Sequence, residues 1–195
     1  MNKSAPAELG LHPLIAQRWS PRSFLPEPVP APVLERLLDA AIWAASCFND
    51  QPWRFVVADR SVDPEAHDAV ASCLTGWNTE WAPKAPVLLV CGHATSFGHN
   101  GEPNRWAGHD LGLAMGNLAL QATHEGLALH AMGGFDPEKL REALGIPADI
   151  ELVEVVALGL PGGPELLEGG LREREEAPRQ RKSKDAVVFR GRWSG

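Results

Sequence analysis

The run Val87-Leu88-Leu89-Val90, inside residues 86–91, constrains the fold more than any other stretch, because it is apolar without interruption over the length of a strand. A strand with one wet face alternates polar and apolar residues, whereas one that does not alternate must be covered on both faces. Helical layers on either side of a sheet supply that cover, so the chain reads as a layered α/β sandwich.

Other segments fill in the layers. Phe55-Val56-Val57-Ala58, residues 127–132 and residues 152–160 read as further strands. Pro32 suits a first helical turn, and Val33, Leu34, Leu37, Leu38, Ala41 and Ile42 recur at helical spacing behind it. Pro52 biases Asp50-Gln51 away from helix, so this helix is expected to end near Cys47. A modest helix is expected over 66–74, and Asp136-Pro137 opens one that Gly145-Ile146-Pro147 ends after Leu144. Trp43 and Trp53 are expected in the core. Residues 92–108 hold four Gly, two Asn and two His with little apolar periodicity and read as a loop of lid or recognition length.

Asp110 is a candidate cap for a helix over 111–125 that stops at Gly126. This helix is apolar nearly all round as far as Thr123, and Gly112 and Gly116 form a smooth stripe one turn apart. Such a helix must be buried on most sides. In a chain of 195 residues a second subunit covering one face explains it most directly, with an intrachain core helix as the alternative. Residues 161–184 are rich in Gly, Pro, Glu and Arg and cannot build a core of their own. Ala186-Val187-Val188-Phe189 is strand-like again and needs a sheet edge. Residues 161–195 are therefore expected to form an extended arm of a single domain, 1–195, crossing to a partner and adding a strand there.

Bulk properties narrow the function classes. A net charge of −7 argues against general affinity for nucleic acid or anionic lipid, so any anion site must be local. Cys47, Cys73 and Cys91 are odd in number with no CxxC spacing, which disfavours a disulfide framework. No apolar run is long enough for a bilayer and no secretory start is seen, so a cytoplasmic location is expected.

Two motifs carry chemistry. Arg18-Trp19-Ser20-Pro21-Arg22-Ser23-Phe24 offers two guanidinium forks and hydroxyls at short spacing, equipment for gripping a phosphate. Ser46-Cys47-Phe48-Asn49-Asp50-Gln51-Pro52-Trp53-Arg54-Phe55 offers amides beside aromatic surface, and Asn49 and Gln51 can donate to and accept from the edge of a heterocycle. Together they point to a nucleotide-like cofactor.

The whole pattern resembles the nitroreductase-like family of flavin oxidoreductases. An Arg-x-Ser-x-Arg-x-Phe opening, a helix and a Ser-x-x-Asn-x-Gln-Pro-Trp-x-Phe segment are all present. The likeness continues through Asp110-Leu111-Gly112, Asn117-Leu118, Gly126-Leu127, Met132-Gly133-Gly134-Phe135-Asp136, Leu158-Gly159 and Arg179-Gln180-Arg181-Lys182. It implies an α+β fold with a central, mostly antiparallel sheet flanked by helices and completed by a C-terminal strand exchanged within a homodimer.

The resemblance further implies FMN as cofactor, with NADH or NADPH as electron donor and a small acceptor such as a nitro compound or quinone. Its phosphate would be held by Arg18, Ser20, Arg22, Arg179 and Arg181 beside Trp19. Its ring would meet Ser46, Cys47, Phe48, Asn49 and Gln51, usually from the other subunit, and main chain at Met132, Gly133 and Gly134. Many relatives carry an acidic residue where Gly133 stands, which leaves the substrate open. Asn78 is a weaker candidate for a ring contact. Alternatives are a flavin-binding protein without turnover, or specialised flavin chemistry such as dehalogenation or flavin breakdown.

No side chain reads as an obligatory acid or base, so no catalytic residue is assigned. Cys47 has no evident base and reads as structural or flavin-contacting rather than nucleophilic. His93, His99 and His109 match no common zinc spacing. Arg172 and Arg174 read as solvated surface.

Overall fold

The computed structural model describes residues 3–193. Four strands, β1 (Trp53–Asp59), β2 (Val87–Ala94), β3 (Ala128–Met132) and β4 (Ile150–Gly159), form one sheet in the order β1-β2-β4-β3, and every neighbouring pair is antiparallel. Helices α1 (Pro13–Gln17), α2 (Ala31–Ile42), α3 (Pro64–Ser72), α4 (Asn78–Trp81), α5 (Ala107–His124), α6 (Pro137–Leu144) and α7 (Gly169–Glu176) surround it.

The apolar run in β2 is explained by two separate cores. Leu88 and Val90 point with Val155 and Ala157 into a cluster that includes Val70, Trp81 and Leu140, under α3, α4 and α6. Val87, Leu89 and Cys91 point with Val156 and Leu158 into the other, under α2 and α5, which supply Leu34, Leu37, Leu111, Ala114 and Leu118. Alternate residues thus serve opposite helical layers, and no position is left for a polar side chain.

Local signals set several boundaries. Asp63 accepts from the Ala66 N–H at 2.9 Å ahead of α3, and Asp136 accepts from the Lys139 N–H at 3.0 Å ahead of α6, each followed by a proline in the first turn. Gly126, at φ 75°, takes the left-handed turn that releases the chain from α5 into β3.

The structure corrects other readings. Helix α2 stops at Ile42, short of Cys47, and Cys47–Asn49 is a separate 3-10 turn. Helix α5 starts at Ala107, so Asp110 lies inside the first turn, where it is buried, and does not cap the helix. The loop after β2 is shortened from both ends. Trp53 is buried, but Trp43 is 85% exposed rather than core. Residues 161–184, read as unable to build a core of their own, contribute to the main one, where α7 buries Leu171, with Glu175 also buried. Ala186-Val187-Val188-Phe189 forms no strand in the single chain: a short 3-10 turn ends at Ala186, and Val187 and Val188 are exposed.

Helix α5 buries one face only, through Ala107, Asp110, Leu111, Ala114, Leu118, Ala119 and Ala122. On the other face Leu113 is exposed, and a Cβ added at Gly112 or Gly116 would touch nothing. The apolar character read from the sequence therefore exceeds what one chain covers.

Candidate functional site

After α1 the backbone turns extended at Arg18, and residues 18–25 are laced to the segment leaving β4. The Leu25 N–H donates to the Leu160 carbonyl at 2.9 Å, the Gly162 N–H to that of Ser23 at 2.9 Å, and the Ser23 hydroxyl to that of Gly163 at 2.7 Å. The arginines of this loop are thereby fixed in position. Arg18, Trp19, Ser20 and Arg22 line a cavity of about 250 Å³ together with Lys3, Arg174, Arg179 and Arg181. Arg179 and Arg181, expected on an arm that crosses to a partner, lie instead beside the amino-terminal arginine loop of their own chain.

The electrostatics of this cradle are lopsided. Burial pushes the Arg18 guanidinium below its ordinary value, and the charges of Arg179 and Arg181 push the same way. Arg22 is lowered by burial and by Arg174, with Glu175 opposing, and Arg179 is lowered by burial and by Arg181. Each cation raises the free energy of the next, the condition that an entering polyanion relieves. Hydroxyl and fork donors are at hand, Arg18 Nη1 lying 3.3 Å from Ser20 Oγ.

Glu175 and His130, not singled out from the sequence, build the cradle's support together with Arg174 and Arg179. Glu175, 1% exposed on α7, accepts from the Arg22 N–H with both oxygens, at 3.1 and 3.0 Å, and from the Ser23 N–H at 3.4 Å. Burial raises its pKa, while those hydrogen bonds and the Arg22 and Lys3 charges pull it down. His130 on β3 hydrogen-bonds the Pro21 carbonyl at 2.8 Å and packs on Trp81, with ring centroids 4.7 Å apart. Burial lowers its pKa to about 4, so it is neutral beside the arginines near pH 7. Arg174, read as solvated, lies over Trp77 at 4.0 Å. Arg179 donates to the carbonyls of Lys3 and Ala16 at 2.7 and 2.8 Å, tying the tail to the start of the chain. The only advance sign of Glu175 was its spacing one turn after Leu171.

The loop 46–51 is built differently. Phe48, Asn49 and Gln51 all adopt positive φ, at 55°, 55° and 51°. The Cys47 N–H donates to Asp110 Oδ2 at 2.9 Å and the Gln51 N–H to Ser46 Oγ at 3.0 Å. Asp110 also holds His109, Nδ1 to Oδ1 being 3.1 Å. Ser46 and Cys47 line a second cavity of about 260 Å³ with Trp106, His109, Asp110 and Leu113. None of the cradle residues lines it, so the structure does not bring Ser46, Cys47, Phe48, Asn49 and Gln51 to the arginine cradle of the same chain.

At the end of β3, Met132 is buried and pairs with Val155 of β4. Gly134 sits in close approach: an added Cβ would lie 2.7 Å from Asn78 Nδ2, the end of a side chain that would have to shift and that donates to the Gly134 carbonyl at 3.1 Å. At Gly133 an added Cβ would meet open space. Among the described residues no group of three or more His, Cys, Asp or Glu is placed to hold a metal ion, and no helix is long and apolar enough to cross a membrane.

Set beside known proteins, this combination has clear relatives. The Nitroreductase family pattern matches residues 15–76 and 66–160, and the chain belongs to that family. It is 30% identical over 176 residues to a protein of Thermus thermophilus named NADH dehydrogenase, spanning 74% of this chain and 83% of that one. It is 28% identical over 200 residues to the 5,6-dimethylbenzimidazole synthase of Rhodospirillum rubrum, spanning 87% and 92%. A crystal structure described as an oxidoreductase containing FMN superposes with a TM-score of 0.91 at 36% identity, covering 100% of this chain and 98% of the other.

Proposed function

We propose that the chain is an FMN-dependent oxidoreductase that carries reducing equivalents from NADH or NADPH to a small acceptor such as a nitro compound or quinone. The observation that carries this reading is the crowded cationic cradle: Arg18, Arg22, Arg174, Arg179 and Arg181 around a cavity of phosphate-accommodating size, with Glu175 the buried carboxylate beneath it. The kinship with an FMN-containing structure supports FMN as the anion's bearer. The donor set fits: fork donors and a hydroxyl suit a terminal phosphate, and main chain at Met132, Gly133 and Gly134 suits a ring edge.

When bound, FMN would supply reversible hydride acceptance and donation at its central ring. Arg18, Ser20, Arg22 and Arg181 would hold the phosphate, with Arg179 acting partly through its grip on the amino-terminal segment. His130 would keep the phosphate loop in place while remaining uncharged. Asn49 and Gln51 would present amides to the heterocycle. Protons come from water, since no side chain is placed as a dedicated acid or base. The balance is one NAD(P)H, one proton and one quinone giving NAD(P)+ and hydroquinone.

Because 46–51 lies apart from the cradle of its own chain, the ring contacts of this segment are assigned to a second copy, in a homodimer. The uncovered stripe of α5, with Leu113, Gly112, Gly116 and the exposed Trp43 just after α2, is the surface that the second copy would cover. Exchange of the carboxyl-terminal segment, with Val187 and Val188 exposed, belongs to the same proposal.

The test is an absorption spectrum of the purified protein followed by anaerobic titration with NADH and NADPH. A flavin spectrum, about one FMN per chain and bleaching by reduced nicotinamide are expected. A protein that stays colourless with added FMN refutes the reading, and one that binds FMN without bleaching refutes the nicotinamide-linked activity and favours a carrier. The likeness to a 5,6-dimethylbenzimidazole synthase favours a second reading, specialised flavin chemistry at the same site, which product analysis in the presence of oxygen separates.

A further inference from the structure

Asp50 stands between two residues given ring contacts, yet it faces away from them. Its carboxylate, 7% exposed, accepts from the Gly98 N–H at 2.8 Å with one oxygen and from Asn104 Nδ2 at 3.3 Å with the other. Asn104 in turn accepts from the Trp106 N–H at 3.0 Å, where α5 begins. One side chain thus fastens the segment after β2 to the loop 46–51, 48 residues away in sequence.

The fastening brings three rings together. Phe48 meets Phe97 edge-on at 5.9 Å and His99 at 5.6 Å, and Phe97 and His99 are 5.2 Å apart. His99 Nδ1 lies 3.9 Å from Asp50 Oδ1. Phe48 is 81% exposed while its backbone sits at φ 55°, ψ 18°. A bulky residue in the left-handed region with its ring in the open is unfavourable on both counts. Such a conformation persists only where its surroundings over-determine it, and it clusters at functional sites.

We propose that Asp50 is a positioning residue that joins the two loops into one aromatic wall, and that Phe97 and His99 on this wall select the electron acceptor, favouring a planar, electron-poor ring bearing an anionic group. The proposal rests on the flavin reading above, since Phe48 lies between Cys47 and Asn49 in the segment assigned to the ring. The negative faces of phenyl rings attract an electron-poor ring. The imidazole offers an N–H donor at one end of the wall and, when protonated, a charge for a carboxylate.

The test uses the FMN-loaded protein, reduced nicotinamide and three acceptors: 4-nitrobenzoate, nitrobenzene and ferricyanide. Each nitro compound takes a hydride from NAD(P)H and a proton from water and loses one oxygen as water, leaving the nitroso compound. Two ferricyanide ions take the same two electrons singly. In Phe97→Leu, kcat/KM for both nitro compounds is expected to fall roughly tenfold relative to that for ferricyanide. In His99→Gln, only the 4-nitrobenzoate ratio falls. Asp50→Ala releases the segment and combines both losses, and Asp50→Asn, which still accepts from Gly98, recovers the nitrobenzene ratio. An equal fall with all three acceptors, or ratios that do not move, overturns the wall. Should Asp50→Ala fail to fold, Phe97→Leu and His99→Gln, both on the surface segment, decide it. A protein without flavin sinks the cofactor reading and the wall with it, whereas a yellow, nicotinamide-reducible protein with unmoved ratios sinks the wall alone.

Discussion

The loops 18–23 and 46–51 both carry irregular backbone into the proposed site and both are pinned by buried carboxylates, but those carboxylates oppose different things. Glu175 sits under a crowd of guanidinium groups and takes the Arg22 and Ser23 N–H donors, leaving excess positive charge above it. Asp110 and Asp50 sit beside a loop with little charge to balance, and hold backbone that takes left-handed φ at Phe48, Asn49 and Gln51. One half stores electrostatic free energy that an anion releases. The other stores conformational strain that no ligand need relieve. The cradle should therefore tighten when its ligand arrives, while the ring loop is already in its working shape.

The largest expected effect breaks the cradle from below. Glu175→Ala leaves two buried N–H groups without acceptors and removes the anion among the arginines, a loss on the order of 3 kcal/mol. Urea unfolding of the flavin-free protein measures it. Asp110→Ala leaves the Cys47 N–H without its acceptor and frees His109, whose exposed ring turns to water, and should lose roughly 1 to 2 kcal/mol. Equal losses would erase the distinction between the two loops.

Acid should distinguish them next. His130 is held near pKa 4, against about 6.5 in an unfolded chain. A depressed value means that the unfolded chain binds the proton first, so its stabilising contribution is complete above about pH 6.5 and drains away as pH falls toward 4. Over that window the loss from this group is at most about 3 kcal/mol. The buried His67, also lowered by burial, adds a loss of the same sign. Chemical unfolding between pH 7 and 4 should show the decline, and His130→Gln should flatten its own share of it. A variant as acid-sensitive as the parent would place the pH dependence outside the cradle.

Arg18→Ala tests the stored charge directly, because its two consequences have opposite signs. FMN binding should weaken by roughly 1.5 to 3 kcal/mol, from loss of a charge-assisted donor. The flavin-free protein should be no less stable, since Arg179 and Arg181 lose a repelling neighbour. Fluorescence titration and a melting curve of the same preparation report both. A flavin-free form that melts markedly lower would show that Arg18 is structural, not a ligand group waiting for its anion.

The same contrast explains what the sequence disclosed. Arg18, Ser20 and Arg22 announce themselves by residue type and spacing, and the Asp136-Pro137 start and Gly145 stop of α6 are local events fixed by neighbouring residues. The alternation inside Val87-Leu88-Leu89-Val90 was invisible because both faces are apolar, yet that very absence gave the two layers. Glu175 was hidden because its partners lie more than 150 residues away and its surroundings, Arg172 to Glu176, read as a solvated charge run. Trp43 was misplaced because apolarity alone cannot separate a core residue from one that a single chain leaves exposed. Ala186-Val187-Val188-Phe189 shows the same ambiguity, since strand propensity is realised only against a sheet edge and this run pairs with neither edge of its own sheet. Positive φ at Phe48 had no signal at all, as phenylalanine is among the residues least suited to it.

That last residue provides the smallest and sharpest test. A left-handed bulky residue costs about 1 to 2 kcal/mol relative to its relaxed backbone, and Phe48 recovers little of this by burial, its side chain being largely in water. Glycine has no such penalty, but it raises the entropy of the unfolded chain by roughly 0.5 to 1 kcal/mol. The balance predicts that Phe48→Gly stabilises the flavin-free protein by about 0.5 kcal/mol, a shift of one or two degrees in melting temperature for a domain of this size. Selection among aromatic acceptors should worsen in the same variant. A clear loss of stability would mean that the edge-on contacts with Phe97 and His99 outweigh the backbone strain, and that the ring loop is held by its aromatic packing rather than by Asp50 and Asp110.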